Sequence, residues 1–263
     1  MLKNSQKEVA MGRKLQSLVT LCLLMVFCCL IPQALAAEVL AAYPLDADVF
    51  AQGMEMVDGR LIFSSGLYES SKIGVVDLEN GQLKAIQKLP DHVFAEGLTA
   101  TPAGIWLISW QEGEARLLDS HSLAEIRLVQ YEGEGWGICY DGEQLFMSDG
   151  SAWLTIRDAD SFEVKDRLQV LIDGQPIEYL NELEYANGAI YANVLFSDII
   201  LKIDPKTDQT LDVIDMGWMN DIVFPKGAWR DSNAVLNGIA HIAEDRFYTT
   251  GKRWPKVFEV RLP

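Results

Sequence analysis

Phe94-Ala95-Glu96-Gly97-Leu98-Thr99 is one of five related stretches, each entering a run with strand character. The others are Phe50-Ala51-Gln52-Gly53-Met54, Gly135-Trp136-Gly137-Ile138, Leu180-Asn181-Glu182-Leu183-Glu184 and Leu236-Asn237-Gly238-Ile239-Ala240. In register they align Gln52, Glu96, Trp136, Asn181 and Asn237, at steps of 44, 40, 45 and 56 residues. Steps of that size belong to repeated supersecondary units, not to one continuous sheet. Only the Phe94 stretch puts a carboxylate at the aligned position.

Each repeat continues alike. After about five residues comes a tight turn: Asp58-Gly59, Ala103-Gly104, Asp141-Gly142, Asn187-Gly188 or Glu244-Asp245. The Asp-Gly and Asn-Gly pairs suit two-residue hairpins, which need positive φ at both central residues. Second strands are expected at Leu61–Ser65, Trp106–Trp110, Leu145–Ser148, Ile190–Val194 and Phe247–Thr250. Third strands end at Asp77, Asp119, Asp158 and Asp204 in four repeats, and a fourth strand leads onward. No amphipathic helix longer than two turns is evident. The pattern predicts an all-β chain, a five-bladed β-propeller of four-stranded antiparallel blades.

The last repeat stops at its third strand, Phe258–Leu262. Residues 40–50, just after the leader, match residues 83–94 almost position for position. The N-terminal segment, residues 38–45, is therefore expected to supply the missing outer strand, closing the ring and hiding an edge.

Lys3, Lys7, Arg13 and Lys14 precede an apolar run from Leu18 to Ile31, followed by Ala34-Leu35-Ala36. This reads as a secretory signal peptide, residues 1–36, leaving a propeller domain at 37–263 in a secreted or periplasmic protein. The apolar run is short for a bilayer span, so no membrane attachment is expected after cleavage. Three of the four cysteines fall in the leader, and Cys139 alone cannot form an intramolecular disulfide. The full chain carries 22 basic and 38 acidic residues; the leader takes four and one, leaving a net charge of −19. Nucleic acid is a poor partner for such a surface, and a monomer is expected.

In a propeller the start of the innermost strand lies beside the end of its hairpin partner. Gln52, Glu96, Trp136, Asn181 and Asn237 should thus form one ring at one face. Ser65, Trp110, Asp149, Asn193 and Lys252 should form a second, giving a concave polar site on apolar strands. Phe50 and Phe94 read either as wedges between blades or as pocket walls, and Asp149 either as a turn cap or a ligand contact. Trp106 and Trp153 read as core, whereas Trp218 and Trp229 sit in the long connection Met216–Ala234, packing the loop or covering the pocket. Glu96 and Lys252 suggest either acid–base chemistry or a salt bridge between blades. The three histidines share no zinc-ligand spacing, and phosphate loops and Gly-x-Ser-x-Gly elbows are absent. A carboxylate acid/base with a cationic stabiliser remains.

Phe50-Ala51-Gln52-Gly53, Phe94-Ala95-Glu96-Gly97-Leu98-Thr99, Gly133-Glu134-Gly135-Trp136-Gly137, Met147-Ser148-Asp149-Gly150-Ser151, Asn181-Glu182-Leu183-Glu184-Tyr185, Tyr191-Ala192-Asn193-Val194, Leu236-Asn237-Gly238-Ile239-Ala240 and Thr250-Gly251-Lys252-Arg253-Trp254-Pro255 together resemble the plant- and bacterial-type glutaminyl-peptide cyclotransferases. The resemblance runs from Tyr43 to Leu262. It implies a five-bladed propeller enzyme of the acyltransferase class, needing no cofactor, that converts the N-terminal glutamine of peptides or proteins to pyroglutamate and ammonia. It places the acid/base glutamate at Glu96, the active-site lysine at Lys252, and pocket positions at Gln52, Trp110, Trp136, Asn181 and Asn237. Leu195 stands where family members usually carry a wall tryptophan. The chemistry suits these groups: one carboxylate can serve as base and then acid without a covalent intermediate, and Lys252 and Asn181 are available to stabilise the oxyanion. Two rivals are a metal-dependent lactone hydrolase using Glu96, Asn181, Asn237 and Asp149, and a binding propeller without turnover.

Overall fold

The computed structural model describes residues 37–263 except 47, 208 and 225–230. The expected signal peptide and Trp229 lie outside the described residues. The chain builds five four-stranded antiparallel sheets, the blades of a propeller. From the innermost strand outward, the first blade is Ala51–Val57, Arg60–Ser65, Lys72–Val76 and Leu83–Lys88. The second is Ala95–Thr101, Gly104–Ser109, Glu114–Leu118 and Glu125–Gln130; the third is Ile138–Tyr140, Gln144–Ser148, Trp153–Asp158 and Val164–Gln169. The fourth is Leu180–Ala186, Ala189–Val194, Ile199–Ile203 and Thr210–Asp215. The fifth runs Leu236–Ala243, Arg246–Gly251 and Lys256–Arg261, and Glu38–Pro44 completes it from the other end of the described chain. That pairing extends from Glu38 opposite Arg261 to Pro44 opposite Lys256, as the sequence repeat predicted.

Burial grades outward, and the sequence explains why. Gly104–Ser109 (GIWLIS) is buried at every position, whereas Glu125–Gln130 (EIRLVQ) is mostly exposed. Asp58 and Gly59 (φ 49° and 74°) and Asn187 and Gly188 (φ 54° and 82°) form the expected two-residue turns. Asp141-Gly142 does not. Only Gly142 has positive φ, and the Asp141 carboxylate accepts from the amides of Glu143 and Gln144, both at 2.8 Å, which holds a wider loop. The third-strand aspartates act in the same manner: Asp119 and Asp158 each accept from two amides of the turn that follows.

Trp106 is fully buried and donates its indole N–H to the Ala159 carbonyl at 2.9 Å. Trp153 corrects the expectation of a core residue, being 40% exposed. Its neighbours Leu154 and Ile156 point into the packed side of the blade, so strand alternation turns Trp153, Thr155 and Arg157 to the other face.

Besides Glu96, the inner strands bury Glu182 and Glu184 and half-bury Glu55. Glu182 accepts from the amides of Ile239 (2.8 Å) and Met54 (3.4 Å), tying the fourth blade to the fifth and first. Glu55 accepts from Thr99 and Ala100 of the second blade. Burial pushes Glu55 up to about 7 and Glu182 and Glu184 well above the ordinary carboxyl value. In the unfolded chain these groups lose their protons near 4.5, while the folded chain keeps them. The folded state thus binds more protons above that pH, so stability falls as pH rises. The thermal midpoint is expected to be highest near pH 5, where the paired surface aspartates are ionised, and to decline through about pH 7 and beyond. A midpoint that climbs across this window would contradict the burial of protonated carboxyls.

Candidate active site

The aligned positions are aimed by a repeated backbone device. In four blades the first strand slips register at the aligned residue: between Ala51 and Gly53, Ala95 and Leu98, Leu180 and Leu183, and Leu236 and Ile239. Such bulges bend a strand and redirect one side chain. The glycines after Glu96 and Trp136 are required by close approach. A Cβ on Gly97 would stand 2.7 Å from Gly137 Cα, and one on Gly137 would stand 2.0 Å from the Asn181 carbonyl. Hydroxyls bridge the same strands, Ser64 donating to the Glu96 carbonyl and Ser148 to the Asn181 carbonyl.

The result is a pocket of about 210 Å³. It gathers Phe50, Gln52, Phe94, Glu96, Trp110, Trp136, Asn181 and Lys252 from the predicted set. Leu195 is on the wall, joined by Phe196, Asn233 and Val235, which the sequence reading did not assign. Asn233 brings the long connection to the pocket rim. Earlier in that connection the helix Met219–Val223 buries both its end residues in the same core cluster as Trp254 and Phe258.

Asn237 lies behind the wall and is 0% exposed. Its amide nitrogen donates to the carbonyls of Ala51 (3.1 Å) and Gln52 (3.0 Å), and its oxygen accepts from Asn181 at 2.9 Å. It therefore fixes Asn181, which keeps its other amide hydrogen for the pocket. Among the second-ring residues, Ser65 accepts from the Phe50 amide and Asn193 from the Gly238 amide. Asp149 accepts from both the amide and hydroxyl of Ser151 and lines a neighbouring cavity. The four-residue donor set of a metal-dependent lactone hydrolase is thus not brought together.

Glu96 lies on the pocket wall, 5% exposed, accepting a hydrogen bond from the Gln52 side-chain nitrogen at 2.9 Å. The Gln52 oxygen is buried without a donor among the described residues. Desolvation pushes the Glu96 carboxyl up to about 8; Lys252 opposes this, while Glu112 and Glu134 add to it. Desolvation likewise lowers Lys252, with Glu96 pulling it back. No direct hydrogen bond or ion pair joins the two, so a blade-to-blade salt bridge is not what holds them. The ammonium faces the Phe50 ring, 5.7 Å from its centroid.

The glutamine cyclotransferase family model matches residues 18–262, nearly the whole chain. The chain belongs to the glutamine cyclotransferase family. A curated relative, the glutaminyl-peptide cyclotransferase of Arabidopsis thaliana, is 34% identical over 231 residues, covering 86% of this chain and 71% of that one. The crystal structure of Myxococcus xanthus glutaminyl cyclase is 36% identical and superposes with a TM-score of 0.81, covering 86% of this chain and 96% of that one. A PQQ-bound aldose sugar dehydrogenase from Streptomyces coelicolor shares only the fold, at 12% identity and a TM-score of 0.52 over 88% and 99% of the two chains.

In this member of the family the pocket walls are held from behind by a carboxylate that the sequence reading left unassigned. Glu134 Oε2 accepts from the indole N–H groups of both Trp110 (2.9 Å) and Trp136 (3.0 Å), and Oε1 accepts from Gln111. Partial burial would raise its pKa, but these three hydrogen bonds outweigh it and hold the carboxyl below the usual value. Glu112 accepts from the Tyr68 hydroxyl, and Tyr68, Phe94 and Trp110 follow one another edge to face. The signal for Glu134 was present in Gly133-Glu134-Gly135-Trp136, an acid set between glycines beside an indole. Phe196 had no such signal, being a loop residue with a left-handed backbone (φ 62°).

Proposed function

We propose that the pocket closes the N-terminal glutamine of a peptide into pyroglutamate. The α-amine nitrogen attacks the side-chain amide carbon, a C–N bond forms, and the original amide nitrogen leaves as ammonia. Glu96 takes the proton that the attacking amine sheds and returns it to the departing nitrogen, so no covalent intermediate is needed. Lys252 and the uncommitted amide hydrogen of Asn181 meet the negative charge on the tetrahedral oxygen. The Gln52 oxygen accepts from the substrate amine, and Trp110, Trp136 and Phe94 exclude water around the forming ring.

The observation that carries this reading is a buried carboxyl, Glu96, set on the wall of a pocket shared with Lys252, Asn181 and two indoles; desolvation there pushes it up to about 8. A peptide α-amine ionises at about 7.7–8.0. Proton exchange between the two is therefore nearly balanced, which is the condition for efficient acid–base catalysis. Release of ammonia from a Gln-initiated peptide tests the reading directly, and its absence would favour a binding protein without turnover. Activity that survives a chelator separates it from metal-dependent hydrolysis. kcat/KM is expected to rise as pH passes through about 8, where Glu96 and the substrate amine lose their protons. It should fall again as Lys252 deprotonates, below the usual lysine range. A flat profile from pH 6 to 10 would remove Glu96 from the mechanism.

Glu134→Gln is expected to raise KM several-fold with little change in thermal midpoint. The amide oxygen accepts from the two indoles less strongly than a carboxylate does. The acyltransferase class, export through residues 1–36, and action as a monomer on secreted or periplasmic peptides belong to the same proposal. The charge of −19 over residues 37–263 speaks for peptide over nucleic-acid partners.

A further inference from the structure

Between the second and third blades lies a separate cavity of about 610 Å³, walled by Tyr131, Arg157, Phe162 and Arg167 with Glu134 on its border. Thr155 and Arg157 share one face of their strand, and Thr155 pairs with Arg167 on the next. Both guanidinium groups therefore belong to the same face of the third blade. Arg157 is only 5% exposed. Its guanidinium lies 5.1 Å from the Tyr131 ring centroid and 4.8 Å from that of Phe162. Nη1 donates to the Phe162 carbonyl at 3.1 Å, and the buried Nε has no acceptor among the described residues.

Arg116 is as deeply buried and its Nε also lacks an acceptor among the described residues, yet Glu114 and Glu125 grip its other two nitrogens. Among the described residues no carboxylate pairs with Arg157. Instead a second cation, Arg167, is close enough to add to the desolvation that lowers its pKa. A buried cation is costly without a counter-ion. A planar guanidinium held between aromatic rings offers its edge as a fork that matches a carboxylate.

We propose that this cavity is a carboxylate subsite, occupied by an acidic group of the same peptide whose first residue enters the glutamine pocket. The inference rests on the peptide substrate proposed above. Glu134 joins the two spaces: it holds the indole walls of the pocket and also lines the cavity. In this proposal the residues that follow the glutamine pass the rim beside Trp110 and Trp136 and reach the cavity on the Glu134 side. Glu132, Glu134, Asp149 and Glu163 also line the cavity and repel small anions in solution. A tethered carboxylate overcomes that repulsion through its high effective concentration. The subsite therefore selects acidic peptides without collecting stray anions.

The test uses C-terminally amidated peptides beginning with Gln, with Glu at position two, three, four or five, each against its neutral Gln counterpart. A free-acid member of each length separates a chain-terminal carboxylate from a side-chain one. One placement is expected to raise kcat/KM about tenfold, chiefly through KM, as a charge-assisted pair of about 1.4 kcal/mol would. In Arg167→Ala, an exposed strand position, the acidic-to-neutral ratio should fall severalfold toward one; in Arg157→Lys, which keeps the charge but loses the fork, it should also fall. If Arg157→Lys misfolds, Arg167→Ala decides alone. Equal rates for every acidic and neutral pair, or a ratio unchanged in Arg167→Ala, would overturn the proposal. Should the protein cyclise no Gln-peptide at all, titration calorimetry of the same pairs still reads the subsite. Tighter binding of one acidic member, lost in Arg167→Ala, supports it; equal Kd values refute it.

Discussion

Glu96→Gln is expected to lower kcat for pyroglutamate formation by about 10² to 10⁴, the usual cost of losing a positioned acid/base. The substitution keeps the volume and the hydrogen bond with Gln52, 2.9 Å away in the wild type. What it removes is the ability to take a proton from the amine. KM should stay close to wild type, because Gln52, Asn181 and the indole walls are untouched. Stability should not suffer either. Glu96 is buried with its neutral form favoured, so a neutral amide replaces a carboxyl already held neutral at moderate pH. The decline of the thermal midpoint with rising pH should in fact become shallower, since one raised carboxyl is gone. Cyclisation within a few-fold of wild type would show that Glu96 is not the proton carrier. A variant that fails to fold would make it a structural residue.

How much of this site was legible in the sequence depends on what each residue answers to. The ring of Gln52, Glu96, Trp136 and Asn181 could be read because a strand-entry pattern recurs at the same place in each blade. The glycine after three of the aligned residues is imposed by contact with the next inner strand, and that contact repeats around the ring. Closure by residues 38–44 could be read because the repeat itself was copied there. Asn237 belonged to the same register, yet register fixes a position along the strand and not the partner of its side chain. Its amide turned to the Ala51 and Gln52 carbonyls, 186 and 185 residues away in sequence. Glu134 was missed for a related reason: one of its indoles is two residues away and the other twenty-four, across a blade boundary. Trp153 misled because a tryptophan in a strand reads as core, whereas the face it occupies borders an inter-blade cavity. Phe196, 66% exposed beside the pocket, depends on a left-handed loop backbone that no propensity would assign to it.

Deleting residues 37–44 should unsettle the whole ring and not merely fray one end. Six registered pairs join Glu38–Pro44 to Lys256–Arg261. The Tyr43 hydroxyl donates to Glu259, Arg261 pairs with Glu38, and Tyr43 meets Tyr248 edge to face at 6.0 Å. At about 0.5–1.5 kcal/mol net for each backbone hydrogen bond, the lost ladder alone is worth several kcal/mol. Total stabilities are commonly about 5–15 kcal/mol, so the thermal midpoint should fall by well over ten degrees or the protein should fail to accumulate. The strand left bare carries Val257, Phe258 and Val260, all buried, and its open edge would invite pairing between chains. The damage should also reach the pocket. Lys252 and Asn237 belong to the fifth blade, Gln52 to the first, and Asn237 spans that junction through two hydrogen bonds. Activity and midpoint should therefore fall together, with soluble aggregates visible by light scattering. A truncated protein with the wild-type midpoint would mean that the inner-strand contacts hold the ring without its clasp.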